Sequence, residues 1–185
     1  EAGQVDALCF LLPTRVSATA IALRVQTFVE RLFPDPALRP NTVLAVPGYL
    51  RANGQEGQPL PGFEVQWPDE PARRPLYWAA EHGKRYFAAA CATGTVDQFL
   101  LSVLQTKHAH LRGTALLRAL VVVDEVHASD AYMTALLRAA LQRHVGAGGH
   151  GLLMSATLTG EARQRLLQAG QRTRGWDTAA RQAEA

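Results

Sequence analysis

The sequence predicts an α/β domain, a parallel sheet with helices on both faces, and three observations carry that prediction. Short apolar runs alternate along the chain with segments of helical period. One run, ALVVVDE (119–125), is β-branched and continuously apolar, the pattern of a strand buried on both faces. The chain has 185 residues, 48% of them hydrophobic, enough for one domain with a real core.

Taken in order, DALCFLL (6–12) reads as a buried strand ended by Pro13. PTRVSATAIALRVQTFVERLF (13–33) follows, with Ile21, Leu23, Val25, Phe28, Val29 and Leu32 near helical spacing and Pro34 as its stop. TVLAV (42–46) is a second strand, broken at Pro47-Gly48. Nine of the ten prolines lie between Pro34 and Pro75, so 34–80 is expected to be a loop-rich surface insertion. YFAAACAT (86–93) reads as a buried strand and VDQFLLSVLQ (96–105) as a helix. ALVVVDE is the next strand, AYMTALLRAALQRH (131–144) an amphipathic helix, LLMSAT (152–157) another strand and GEARQRLLQAG (160–170) a last helix. The domain is therefore placed at 1–170, with 171–185 a polar, Arg-rich tail.

Composition narrows the class. The formal net charge is +3, which permits nucleic-acid binding without demanding it. The two cysteines, Cys9 and Cys91, sit in apolar runs without metal-ligand spacing, so buried, reduced thiols in a cytoplasmic protein are expected. No apolar stretch approaches the ~20 residues that span a bilayer, and the start has no secretory pattern. The opening EAGQVDALCF reads as mid-domain sequence, so an excised piece of a longer domain is expected.

Asp124 and Glu125 follow the clearest strand. In an open parallel sheet, ligands bind at the carboxyl ends of strands. A carboxylate fixed there can hold Mg²⁺, a hard cation that keeps several waters. In a nucleotide-hydrolysing site Asp124 would hold the metal, and Glu125 would orient or deprotonate the attacking water. His127 could hydrogen-bond toward a γ-phosphate or a neighbouring strand end. The alternative is local: Asp124 caps the next turn and His127 is a solvated loop residue. Some thirty residues on, Ser155, Ala156 and Thr157 end what should be an adjacent strand. Their hydroxyls could hydrogen-bond to the carboxylates and relay a change at the phosphate, or simply cap the helix at Glu161.

DEVH followed by SAT resembles motifs II and III of superfamily 2 helicases. GTVDQFLLSVLQTKHAHLR, DEVHASDAYMTALL and LLMSATL together resemble the CRISPR-associated helicase–nucleases of type I interference, and LLPTRVSATA resembles motif Ia. Trp78 and the basic stretch 83–85 also sit where that family has a similar Trp and basic residues. The resemblance implies a RecA-like (P-loop NTPase type) fold, ATP and Mg²⁺ as cofactors, with Asp124 the metal residue and Asp124, Glu125 and His127 catalytic. It implies single-stranded DNA and a Cascade-type RNA-guided complex as partners, and no membrane. Pro13, Thr14 and Arg15 would contact the DNA backbone, and Thr93, Gly94 and Thr95 would form a second phosphate contact at a helix start. Read from the residues alone, Gly94 permits close backbone approach and Thr95 or Asp97 caps the helix. Lys107, His108, His110 and Arg112 are either a functional basic cluster or a solvated loop. Ser129 and Thr159 depart from the family's usual Tyr and Pro.

A motor of this class also needs GxxxxGK[ST]. The one GK, Gly83-Lys84, is followed by Arg85 and preceded at the fifth position by Trp78. The sheet is thus expected to lack the P-loop strand, and the chain alone to hydrolyse ATP negligibly. Alternatives are another superfamily 2 translocase of restriction type, or a non-catalytic DNA-binding remnant.

Overall fold

In the computed structural model, residues 5–68, 76–104, 106–126 and 131–157 are described, with Gln164 and Leu166. Strand β1 (Ala7–Leu12) leads into helix α1 (Arg15–Leu32). Strand β2 (Thr42–Ala45) follows, then four two-residue strands: β3 (Arg51–Ala52), β4 (Gln55–Glu56), β5 (Gln58–Pro59) and β6 (Val65–Gln66). A 3₁₀ turn at Tyr86–Ala88 precedes β7 (Cys91–Thr95) and the short helix α2 (Val96–Leu100). Helix α3 (Ala109–Ala115), strand β8 (Ala119–Val123), helix α4 (Ala131–Gly146) and strand β9 (His150–Leu153) complete the described elements.

Among the described residues the main sheet runs β4-β3-β2-β7-β1-β8-β9. Strands β2, β7, β1, β8 and β9 are mutually parallel, and β3 and β4 extend one edge antiparallel. Alternation along each strand divides the core into two layers. On one face Leu12, Leu44 and Val46 pack with Ala18 of α1. On the other, Cys9, Leu11, Val121 and Val123 pack with Phe99 of α2 and Leu137, Ala140 and Leu141 of α4. Helices on both faces of a mostly parallel sheet are what the alternation predicts.

Several elements differ from the sequence reading. The run 86–93 is not one strand: 86–88 form a 3₁₀ turn that buries Tyr86 and Phe87, and pairing starts at Cys91. An alanine-rich apolar run has no period to separate the two. α2 stops at Leu100 instead of continuing to 105. α3 lies where a loop was one of two readings. β9 starts at His150 and ends at Leu153, so Ser155, Ala156 and Thr157 lie past the strand rather than in it. The last expected helix falls outside the described residues apart from Gln164 and Leu166, both helical.

The proline-rich middle is loop-like, but it is also structural. Trp67 stacks on Tyr77, ring centroids 4.3 Å apart at 11°, and both are buried in the main core with Ala79 and Ala80. Cys9 is buried and Cys91 half-buried, and both are free thiols. Burial pushes both thiols above the ordinary value, far more for Cys9, so neither is poised for thiolate chemistry.

Candidate functional site

The register of the parallel strands decides which loops meet. Leu12 pairs with Thr95, Leu11 with Gly94 and with Val123, and Val123 with Leu153. Pro13–Arg15, Thr93–Thr95, Asp124–Glu125 and the segment 155–157 therefore lie at one edge of the sheet, the carboxyl edge. Residues drawn from four separate stretches of sequence are brought to one side of the molecule.

The acid pair is held by backbone. The Asp124 N–H donates to the Leu11 carbonyl at 2.9 Å, continuing the β1–β8 ladder one residue past the strand. The Met154 N–H donates to Val123 at 2.8 Å, and the Val126 N–H donates to Met154 at 3.2 Å. The loop after β8 is thus tied on one side to β1 and on the other to the loop after β9. Glu125 adopts a left-handed backbone, φ 57°. That conformation is uncommon outside glycine and clusters at functional sites. It turns the chain sharply, and the Glu125 N–H donates to Asp124 Oδ1 at 2.9 Å. Asp124 is half-buried and Glu125 exposed. His127 lies outside the described residues, as do Ser129 and Thr159.

Asp124 offers the kind of donor, a backbone-fixed carboxylate, that a magnesium ion takes. Among the described residues no group of three or more His, Cys, Asp or Glu side chains could enclose a metal. Magnesium uses one or two protein carboxylates, with waters and phosphate oxygens for the rest. Asp124, with Oδ1 already accepting one N–H, retains acceptor capacity for such a role.

On the β9 side, Ser155 is half-buried, and Ala156 and Thr157 are exposed. The Thr157 N–H donates to Ser155 Oγ at 3.4 Å. Beyond β1, Thr14 is the N-cap of α1: its Oγ1 accepts the Ser17 N–H at 3.1 Å and lies 2.7 Å from Ser17 Oγ. α1 has no acidic residue in its first turn, so the positive end of its dipole is uncompensated. Arg15 and Thr14 are exposed there.

The second expected phosphate contact is arranged differently. Thr93 and Thr95 are 2% and 5% exposed. Gly94 faces β2, where a Cβ would come within 2.5 Å of the Ala45 carbonyl oxygen and 2.7 Å of its Cβ. The glycine is thus required by strand–strand packing. Thr95 is the N-cap residue of α2, without a side-chain cap bond. Two cavities, of about 220 and 240 Å³, lie elsewhere: one between α1 and the β2–β4 edge, one among α2, α3 and α4. Neither is lined by Asp124 or Glu125.

A mostly parallel sheet sandwiched by helices, with an acid pair and a hydroxyl-bearing loop on adjacent strand ends, has the layout of a RecA-like α/β domain. No family model matches the sequence, but individual relatives do. The CRISPR-associated endonuclease/helicase Cas3 of Escherichia coli is 35% identical over 163 residues, 88% of this chain and 18% of that protein. Its counterpart from Thermus thermophilus is 34% identical over 172 residues, 90% of this chain and 18% of that protein. The crystal structure of T. fusca Cas3 with ATP superposes with a TM-score of 0.67 at 29% identity, covering 92% of this chain and 18% of that one. The chain corresponds to a segment of the helicase region of the CRISPR-associated nuclease/helicases, and spans about a fifth of the length of the curated relatives it matches.

Proposed function

We propose that this chain is part of the first RecA-like domain of an ATP-dependent DNA helicase or translocase of type I CRISPR interference. In that reading the whole motor unwinds target DNA and feeds it to a histidine–aspartate (HD) nuclease. It acts in the cytoplasm on single-stranded DNA exposed by a Cascade-type RNA-guided complex. The observation that supports this best is the carboxyl edge itself. Asp124–Glu125 and Ser155–Thr157 sit on neighbouring strand ends, in a chain 35% identical to a Cas3. T. fusca Cas3 structures with ADP and with AMPPNP are further structural neighbours, at TM-scores of 0.64 and 0.66, and they favour a nucleotide as the ligand. Among the described residues no helix is long and apolar enough to cross a membrane.

When bound, magnesium supplies stabilisation of charge on the transferring phosphoryl group. Asp124 would hold the metal from a backbone tied to β1, so little reorganisation would be needed. Glu125 orients the attacking water or takes its proton. His127, outside the described residues, is the residue this reading assigns to the γ-phosphate or to a neighbouring strand end. Ser155 and Thr157 sense the outcome through the backbone bond between Val126 and Met154, and the exposed Thr14 and Arg15 beside Pro13 contact the DNA backbone, a role that burial of Thr93 and Thr95 denies to the second stretch.

The 185 residues contain no GxxxxGK[ST], so the chain by itself is expected to turn over ATP negligibly. The test uses both this chain and a full-length helicase carrying these residues. In the latter, Asp124→Asn should lower DNA-stimulated ATP turnover by roughly 10²-fold or more while DNA affinity is retained. Unchanged turnover in that variant, or robust turnover by the 185-residue chain, contradicts the reading. Loss of DNA affinity with unchanged turnover favours a binding role for this edge.

A further inference from the structure

The cavity of about 240 Å³ among α2, α3 and α4 lies at the opposite edge of the sheet from the acid pair. His144, in the last turn of α4, fixes its position. The His144 Nε2 is 3.1 Å from the carbonyl oxygens of Ala119 and His150, the first residues of β8 and β9. Asp124 follows the last residue of β8, so the length of that strand, roughly 15 Å, separates the cavity from the acid pair. Phe99, Leu116, Leu117 and Ala140 form apolar walls. Phe99 also meets the His144 ring edge-on, with centroids 6.1 Å apart at 88°. An apolar cavity of about 150 Å³ holds a benzene ring, so this one has room for a ring and its substituents.

The floor of the cavity has hydrogen-bonding capacity to spare. The carbonyls beside His144 can only accept, so Nε2 carries the ring proton and Nδ1 keeps its lone pair. Burial is the largest influence on this imidazole and holds it below its ordinary pKa, which keeps it neutral. Ser102 also lines the cavity and is 4% exposed. Its carbonyl accepts from Arg143 Nη1 at 3.5 Å, while its Oγ has no hydrogen-bond partner among the described residues. A buried hydroxyl left unpaired is costly. Arg143 and His110 stand exposed at the mouth, and no carboxylate lines the cavity. The long contact to Ser102 leaves the guanidinium with donors to spare. Apolar walls with a few convergent polar groups are the lining of a ligand pocket rather than of a packing void. The polarity also sets an orientation. The Nδ1 lone pair and the Ser102 hydroxyl take a hydroxyl group at the floor, and Arg143 takes a carboxylate at the mouth. The reverse orientation would press an anion against the Nδ1 lone pair.

We infer that this cavity is a binding site for a small hydroxyaryl carboxylate, held by Arg143 at the mouth and by Ser102 and His144 at the floor. The site is independent of the proposed function, so its test uses neither ATP nor DNA. The probe is para-hydroxyphenylacetate, with para-cresol as its counterpart lacking the carboxylate. Each is titrated into the isotope-labelled 185-residue chain and followed by backbone amide chemical shifts. Shifts should centre on Phe99, Ser102, Thr114 and His144, with a dissociation constant at or below about 1 mM for para-hydroxyphenylacetate. Para-cresol should bind about fivefold more weakly, and Arg143→Gln should abolish that difference while leaving para-cresol unchanged. Gly113 lines the cavity with nothing within 4 Å of an added Cβ, so Gly113→Leu should fill the space and weaken both probes about tenfold or more. The inference is overturned if wild type shows no saturable shifts at the cavity up to about 10 mM probe. Equal affinity for the two probes, or an Arg143→Gln variant that still distinguishes them, overturns it as well. Arg143 is exposed, so its variant and the wild-type titration decide the question even if Gly113→Leu misfolds.

Discussion

At the scale of single residues, the sequence speaks to position along a strand more readily than to accessibility. Asp124 and Glu125 stand at a strand end, as their position after ALVVVDE predicts, because an unbroken β-branched run must stop where charge begins. Thr93 and Thr95 look alike in sequence to Thr14, yet they are buried and Thr14 is exposed. Nothing local to a TGT triplet encodes that β2 will lie against it. Gly94 shows the same thing from the other side. Gly94→Ala would force its new methyl onto the Ala45 backbone, and the β2–β7 pairing must shift to admit it. Urea denaturation should show a loss of about 1–3 kcal/mol, whereas Gly113→Ala, inside α3 with nothing within 4 Å of the new Cβ, should be neutral or stabilising. His144 makes a second residue-scale prediction. It is 7% exposed, its Nε2 lies 3.1 Å from both the Ala119 and His150 carbonyls, and a Cβ on Gly149 would strike its ring. Burial holds its pKa below the ordinary 6.5, so the unfolded chain takes up a proton that the folded one resists. That stability is fully present above the unfolded value and is lost as pH falls through the folded one. His82 and His108 shift in the same direction, so the comparison is with His144→Gln. The drop in Tm between about pH 7.5 and about pH 5 should be smaller in the variant. An equal drop assigns the pH dependence to other groups.

Elements were legible where period and length were both decisive. β1, β2, β8 and α4 lie close to where the sequence places them, and α1 spans nearly the whole predicted stretch. Its buried face was not legible. Ala18, Gln26 and Val29 pack inward, while Leu23, Phe28 and Leu32 are exposed. Near-helical spacing of large apolar residues identifies the helix, but the close approach of α1 to β2 and β7 selects small residues and one buried amide, Gln26, which hydrogen-bonds Thr42. The packing of α3 against the 3₁₀ turn at 86–88 was hidden for a related reason: each element is short, and only tertiary packing puts them side by side. The proline-rich middle departs furthest from its reading. A surface insertion could be lost at little cost, whereas Trp67 and Tyr77 form a buried stack inside the main core. Trp67→Ala should destabilise the whole domain by about 3–5 kcal/mol in a single cooperative transition. A loss below about 1 kcal/mol, or a separate early transition, would return this region to the status of an appendage.

For the whole molecule, the sheet's topology decides where the chain is vulnerable. Among the described residues β9 pairs with β8 alone, and its side chains are exposed or half-buried, although it ends in two leucines. Leu152 sits in register with Val122, which is 4% exposed, yet is itself 48% exposed. An apolar strand at an open edge presents unpaired backbone donors and acceptors together with greasy side chains, the combination that templates association. The exposed stripe on α1, with Val16, Leu23, Phe28 and Leu32, offers apolar area but no free backbone, because a helix satisfies its own hydrogen bonds. The two surfaces therefore make different predictions. If strand pairing drives self-association of this chain, Leu152→Lys should raise the concentration at which light scattering detects oligomers, and Phe28→Lys should change it much less. A charge on β9 repels a docking strand at the site of pairing, whereas one on α1 removes only area. Equal effects from the two substitutions would locate the driving force in exposed apolar surface as a whole, and a larger effect from Phe28→Lys would move the association site from the sheet edge to the helix.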